Sequence, residues 1–277
     1  MVIVAQDVAD LRKRTGAGMM DCKQALVEAG GDFEKAVDIL RKKGQKVSME
    51  RSARTASEGA VFSYVSEDHT SAWVLSLNSE TDFVARNSQF LELGNRILEV
   101  GVKNQVKDLD ALKKLKLGDY SVEEALVHFM GTIGEKIAIS DYAVLTGDVV
   151  VVYNHTGNTL AVLVALQGDR SAQAIEAGRD VAMQIAAMSP LAVSQDRIDQ
   201  AVIDRELSVI QEQVALAGYE GHKAEMIAQG KLKKFLQENT LLDQCFVKDN
   251  KLTIRQYLQS VSPSLGVMDF KRICVGA

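Results

Sequence analysis

At the start of the chain, apolar residues recur every three or four positions, which is the period of an amphipathic helix. The pattern breaks at residues 15–18 and again at Gly30-Gly31, so residues 1–46 predict three short helices packed as a bundle. Residues 47–58 follow with a polar, basic sequence that has no apolar period. Such a sequence predicts a linker that lets the N-terminal bundle move.

From Gly59 the pattern changes to short apolar runs between polar turns, which is typical of strands. A strand-strand-helix order occurs twice, and an offset of 88 residues aligns the copies, which predicts an internal duplication. Within these units the predicted strands are 60–65, 72–77, 148–154 and 159–166, and the helices lie near 88–101 and 171–187. Further strands are predicted outside the units, around 136–140 and at 267–275. We expect a first core subdomain at 59–141 and a second at 142–194 and 240–277.

Residues 195–239 return to a helical period and predict an antiparallel hairpin of two helices, inserted in the second subdomain. Its apolar seam consists of Ile203, Leu207, Ile210 and Val214. The seam closes within the hairpin, against residues such as Ala228, or packs on the core, or meets a second copy of the chain. The predicted fold class is α+β.

One large aromatic residue, Phe83, lies where the second predicted strand ends in a polar turn. Thr81 is a good N-cap and Asp82 suits the positive end of a helix dipole, so a helical turn is expected to begin there. Phe83 would then project from a rigid corner, although the residues alone also allow Phe83 and Val84 both to be core residues. The second copy carries Ser171 at the position aligned with Phe83, which favours a role for Phe83 beyond structure.

Composition narrows the class of partner. The 277-residue chain has a net charge of −5 and scattered basic residues, whereas nucleic-acid binding needs a concentrated basic face, so the expected partner is a protein. Cys22, Cys245 and Cys274 show neither disulfide nor zinc-ligand spacing, which favours a reducing compartment. Neither a membrane span nor a signal peptide is predicted, so we expect a cytoplasmic protein.

Motifs for covalent chemistry, cofactors and metals are missing from the sequence. The four histidines, His69, His128, His155 and His222, stand apart without ligand spacing, so neither an enzyme nor a metal site is expected. The turn at Gly16 lacks the preceding strand and following lysine of a phosphate-binding loop. Met19 and Met20 follow it, and we expect one to pack inward and one to stay accessible, unless both are buried. His155 lies in a predicted loop, either as a contact residue or simply solvated.

Two long motifs resemble those of the elongation factor Ts family. Residues 78–86, NSETDFVAR, resemble the second signature of that family, and residues 11–26, LRKRTGAGMMDCKQAL, resemble the first, in the same order and at the expected separation. Softer similarity covers nearly the whole chain. The resemblance implies a three-helix module like that of ubiquitin-associated domains, two related core subdomains and an inserted dimerization hairpin.

The resemblance also implies a function. Family members are guanine-nucleotide exchange factors that bind the GTPase elongation factor Tu with GDP, displace GDP and magnesium, and allow GTP to rebind. The corner residues implied to do this are Thr81, Asp82, Phe83 and Val84. Other implied contacts are Leu11, Arg12, Gly16, Met19, Met20, His155 and Val247. The resemblance also implies self-association through Ile203, Leu207, Ile210 and Val214.

Two further expectations accompany the resemblance. Many family members continue into a C-terminal helical module beyond the position of Ala277, so that contact is expected to be missing. A three-helix head on a linker would also suit a non-exchanging adaptor that binds some other protein, and this is the alternative function.

Overall fold

Two three-stranded sheets packed face to face form the centre of the protein, as seen in a computed structural model that describes residues 3–276. Helices cover the outer face of each sheet, which gives four layers. The predicted α+β class is confirmed. Within residues 3–276, no helix combines the length and the apolar character needed to cross a membrane.

The N-terminal bundle has the three helices that the sequence predicts. They are α1 (Ala5–Thr15), α2 (Met19–Glu28) and α3 (Phe33–Arg51). The side chain of Asp32 caps α3 by accepting a hydrogen bond from the backbone N–H of Lys35 at 3.1 Å. The bundle has an apolar core of its own, formed by Val8, Leu11, Ala17, Cys22, Ala25, Leu26, Ala36, Val37 and Leu40.

The first core subdomain is a sheet of order β1-β2-β5 with helices on one face. Its elements are β1 (Glu58–Val65), β2 (Ser71–Ser79), α4 (Asp82–Ala85), α5 (Ser88–Lys103), α6 (Leu109–Lys114), β3 (Lys116–Leu117), β4 (Tyr120–Ser121), α7 (Val122–Ile133) and β5 (Ile137–Thr146). Along β2, Trp73 and Leu75 face the helices while Ala72 and Val74 face the other sheet. Burial on both faces explains why this stretch is apolar at nearly every position.

The second subdomain repeats this plan with the sheet order β10-β7-β6. Its elements are β6 (Val149–Asn154), β7 (Leu160–Gln167), α8 (Ala172–Met188), α9 (Gln200–Leu216), α10 (Gly221–Asn239), β8 (Cys245–Phe246), β9 (Asp249–Thr253), α11 (Ile254–Val261) and β10 (Gly266–Cys274). The strands β5 and β10 take the same place beside β2 and β7. Each copy therefore has a third strand, which the predicted strand-strand-helix unit did not include.

The strands of the two copies are offset by 89 residues, so the predicted offset of 88 is wrong for them. Ser63 pairs with Val74 in the first copy, and Val152 pairs with Leu163 in the second. Side chains alternate between the faces of a strand, so a one-residue error exchanges inner and outer positions. With the offset of 89, Val74 corresponds to Leu163, and both lie between the two sheets.

The helices need a different offset because the first copy has a longer connection. Residues 80–87 separate β2 from α5, whereas residues 168–171 separate β7 from α8. The extra residues form α4, so Phe83 has no counterpart in the second copy, and its alignment with Ser171 is wrong. The corner is an insertion into one of two otherwise similar units.

The two hairpins exchange a reciprocal pair of backbone hydrogen bonds. The N–H of Val150 donates to the carbonyl oxygen of His69 at 2.6 Å, and the N–H of Val61 donates to that of Asn158 at 2.7 Å. Each donor and each acceptor lies 89 residues from its counterpart. His69 and Asn158 also share the same positive φ of 56°. The two copies are therefore related by an approximate twofold axis.

The predicted linker at 47–58 is wrong in part, because α3 continues to Arg51. Gly44 does not end the helix. It lies against α7, where a Cβ atom on Gly131 would come within 2.7 Å of the Gly44 Cα atom. Two glycines thus let α3 and α7 pack closely, and the bundle is docked on the first subdomain instead of moving on a linker. The positions of the domain boundaries stay our prediction.

Candidate functional site

Phe83 lies on the one-turn helix α4 with 84% of its surface exposed. Its neighbour Val84 is only 8% exposed and belongs to the core of the first subdomain. The structure thus separates two residues that the sequence left ambiguous. Val84 is a core residue and not a contact residue, so its assignment to the contact surface is wrong. An exposed Phe on a short fixed element offers an apolar anchor to a partner.

Thr81 holds this corner by a long-range contact. Thr81 occupies the N-cap position as predicted, but its hydroxyl donates to Glu135 at 2.9 Å, and its N–H donates to the same carboxylate at 3.1 Å. The adjacent Asp82 side chain is 45% exposed and pairs only with Arg86, at 3.2 Å. The exposed groups of the corner are therefore Asp82 and Phe83, whereas Thr81 anchors them.

Glu80 is the second anchor of the corner. Its carboxylate is 13% exposed and accepts from the N–H of Lys136 at 2.7 Å and from the guanidinium groups of Arg51 at 3.0 Å and Arg54 at 3.1 Å. Burial raises the pKa of Glu80, but these bonds outweigh burial and hold the pKa below its usual 4.5. Neither Glu80 nor Glu135 was singled out from the sequence, because their partners lie 26 to 56 residues away.

The N-terminal bundle presents a second exposed apolar surface. Met19 is 58% and Met20 is 74% exposed, so the expectation that one or both pack inward is wrong. Leu11 is fully buried in the bundle core and cannot contact a partner directly. Gly16 is exposed and ends α1 with a φ of 68°, a conformation that favours glycine. Arg12 is exposed.

A cleft joins this surface to the first subdomain. It measures about 1130 Å³ and is lined by Arg12, Met19 and Met20 from the bundle, and by Gln89 of α5 and Thr132 of α7. Gln89 lies six residues after Phe83 in sequence, so the chain that follows the corner reaches the lining of this cleft. The first family-like motif lines the cleft directly, through Arg12, Met19 and Met20.

The second subdomain contributes His155 and Val247, both exposed. His155 lies in the β6–β7 turn with its Nδ1 atom 3.0 Å from the hydroxyl of Tyr153. Val247 lies in the turn between β8 and β9, and its N–H donates to the buried Gln184 side chain at 2.9 Å. Gln184 also donates to the carbonyl oxygen of Cys245 at 3.1 Å. Both predicted contact residues are therefore accessible on ordered turns.

The seam predicted to form a dimer is closed within the hairpin. Ile210 and Val214 are 4% and 2% exposed and pack with Ala228 of α10. Leu207 is partly buried in the same cluster, and Ile203 is half-buried. The alternative in which the hairpin satisfies its own seam is the one the structure contains, so Ile210 and Val214 are wrong as dimer contacts.

The exposed apolar side chains of these surfaces are suited to binding a protein. Among residues 3–276, no three His, Cys, Asp or Glu side chains are grouped so that they could hold a metal ion. His128 stacks on Tyr120 at 5.4 Å beneath α3, where burial, with a smaller contribution from Arg41, lowers its pKa. His128 thus belongs to the contact between the bundle and the core.

Comparison with known proteins gives a consistent result. A family model described as Elongation factor TS matches residues 80–277. The chain is 46% identical over 277 residues to the Elongation factor Ts of Amoebophilus asiaticus, with 100% of both chains covered. It is 44% identical over 280 residues to that of Porphyromonas gingivalis, again with 100% of both covered. It is 41% identical to that of Clostridium kluyveri, with 96% of this chain and 89% of the relative covered. The family model, the matching motifs and these full-length relatives together show that the chain belongs to the elongation factor Ts family.

Proposed function

We propose that this chain is a guanine-nucleotide exchange factor in translation elongation. It binds elongation factor Tu with GDP, displaces GDP and magnesium, and leaves a nucleotide-free form that GTP then occupies. The observation that carries this proposal is Phe83, an 84% exposed aromatic residue on an anchored corner beside the exposed carboxylate of Asp82. It occupies the motif position that the family uses against the GTPase.

The physical basis is thermodynamic linkage. A protein that binds the empty GTPase more tightly than the GDP form must weaken GDP binding by the same factor. A ten-thousandfold faster release corresponds to about 5.5 kcal/mol, since each tenfold takes about 1.4 kcal/mol. Burying one Phe supplies only about 2–3 kcal/mol. The remaining contacts must therefore share the effect.

Three surfaces support such a distributed contact. Asp82 and Phe83 act at the nucleotide and magnesium site, and Arg12, Met19 and Met20 add contacts along the cleft. His155 and Val247 engage another domain of the partner. No covalent bond changes, so the protein is an exchange factor and not an enzyme in the usual sense, and it acts in the cytoplasm.

The test is the release of fluorescent GDP from elongation factor Tu, measured by stopped flow with and without this chain. We expect release to accelerate by orders of magnitude at saturating concentration. Unchanged release together with tight binding would favour the adaptor alternative, in which Met19 and Met20 serve a non-exchanging contact. Unchanged release without binding would refute both.

A further inference from the structure

The ladder between β2 and β5 ends just before the Phe83 corner. Its last backbone pair joins Ser79 and Ile137. Beyond that pair the strands separate, and two carboxylates replace backbone carbonyls as acceptors. Glu80 accepts from the N–H of Lys136 at 2.7 Å, and Glu135 accepts from the N–H of Thr81 at 3.1 Å. The pairing is thus continued by side chains for two more residues on each strand.

The one-turn helix α4 cannot fix its own direction. An isolated turn is unstable, because nucleation constrains several residues for very few hydrogen bonds. The side chain of Thr81 does not cap α4, since its hydroxyl donates to Glu135. Asp82 and Arg86 form only an exposed pair, which contributes little. Val84 and Ala85 of this turn pack into the core, so the direction of Phe83 is set jointly by that packing and by the residues that precede α4.

We propose that Glu80 and Glu135 are positioning residues that fix the direction in which Phe83 leaves the core. They do so by holding residues 80 and 81 against the start of β5. This inference rests on the proposed function only for its consequence in exchange. The positioning itself is a property of the free protein and can be measured without the GTPase.

Glu80 also connects the corner to the N-terminal bundle. Its carboxylate accepts hydrogen bonds from Arg51, the last residue of α3, at 3.0 Å and from Arg54 at 3.1 Å. The Nζ atom of Lys136 donates to the carbonyl oxygens of Ser52 and Arg54, each at 2.7 Å. The segment between α3 and β1 is therefore fixed to Glu80, one of the two positioning residues, and to Lys136, whose N–H donates to Glu80. The bundle surface and Phe83 are held in one arrangement before any partner binds.

Preorganisation of this kind affects affinity. A partner that binds a fixed Phe83 does not have to order it, so the entropic cost of association is smaller. Removing either carboxylate should weaken binding only because Phe83 is then no longer held in place. If the two carboxylates served only general stability, their loss would be felt equally with or without Phe83.

The first experiment measures hydrogen exchange of backbone amides in the free protein. In Glu135→Ala we expect faster exchange in the segment 80–87, where the N–H groups of Ala85, Arg86 and Asn87 donate within the corner. Amides of β7 should keep their protection. The matched control is Glu176→Gln, which removes the charge of an exposed carboxylate paired only with Arg179. It should leave both segments unchanged.

Two results of this experiment would overturn the proposal. One is unchanged exchange at 80–87 in Glu135→Ala. The other is a uniform increase across the molecule, which would show a purely structural role. Glu135→Gln should restore much of the protection, because its amide retains an oxygen for the N–H of Thr81 and an NH₂ group that can donate to the hydroxyl.

The second experiment is a double-mutant cycle on affinity for elongation factor Tu. Glu135→Ala alone should raise the dissociation constant about tenfold, whereas in a Phe83→Ala background it should change less than about twofold. Equal effects in both backgrounds would show that Glu135 does not act through Phe83 and would refute the proposal. If the unaltered chain failed to accelerate GDP release from elongation factor Tu, the proposed exchange function would be refuted. The amide-exchange measurement would still test whether Glu135 positions the corner.

Discussion

Replacing Phe83 by Ala tests the central contact most directly. A Phe side chain offers about 150–250 Å² to a partner, and in this structure 84% of Phe83 is free to be covered. At about 25 cal/mol per Å², complete burial of about 170 Å² sets a ceiling near 4 kcal/mol. Ala keeps the Cβ atom and burial is never complete, so about 2–3 kcal/mol is expected. The dissociation constant should therefore rise about 30- to 150-fold.

Two measurements separate this effect from loss of fold. Urea unfolding of Phe83→Ala should give a free energy within about 0.5 kcal/mol of the unaltered chain, because the residue is exposed. The adjacent Val84→Ala is the matched control. Val84 is 8% exposed in the core, so its truncation should cost about 1–3 kcal/mol of stability. Its effect on GDP release should be smaller than that of Phe83→Ala.

Either of two outcomes would refute the reasoning. If Phe83→Ala lowered the free energy of unfolding as much as Val84→Ala, the side chain would pack in solution against the protein itself. If the stability and the rate of GDP release both stayed unchanged, Phe83 would be exposed but would not take part in exchange.

Three other changes address the remaining parts of the molecule. Gly131→Ala should destabilise by about 1–3 kcal/mol in urea, because its Cβ would meet the Gly44 backbone at 2.7 Å, whereas Gly230→Ala, with open space around it, should be neutral or stabilising. Burial holds the pKa of His128 below 6.5, so the unfolded chain binds a proton at this residue more readily than the folded protein does. The stability that is present above about pH 6.5 is therefore lost as the pH falls through the folded-state pKa. His128→Gln should remove this pH-dependent component from urea midpoints measured between about pH 7 and 5. Ile210→Glu should lower helical content by circular dichroism at every protein concentration while GDP release is retained, and a loss that depended on concentration would instead indicate a seam between two chains.

Local signals in the sequence were sufficient for most elements but not for their long-range contacts. The cap at Asp32 and the apolar run of β2 are both encoded by neighbouring residues, and β2 was predicted correctly as a strand. Thr81 was predicted as a cap for α4, yet its hydroxyl bonds to Glu135, 54 residues away. Residues 47–58 were interpreted as a linker because they are polar and basic with no apolar period, yet α3 continues to Arg51. Gly44 within α3 contacts Gly131 of α7, and no pattern within one helix indicates a partner on another.

The duplication shows the same limit. Apolar runs revealed two similar units, but a hydrophobic pattern alone does not distinguish an offset of 88 from one of 89 when strands are buried on both faces. Val74 and Leu163 lie in such strands. The pairing register decides the offset, and the added residues around Phe83 become visible as an insertion only after that register is known.

Because of the reciprocal hydrogen bonds between the two hairpins, we expect neither duplicated half to unfold without the other. If one half separated, the bonds of Val61 and Val150 would both be lost, and the inner faces containing Val74 and Leu163 would meet water together. Without the other sheet, neither sheet has another surface that could cover its inner face. The core should therefore melt in a single cooperative transition, and two fragments divided between β5 and β6 should acquire structure only when mixed.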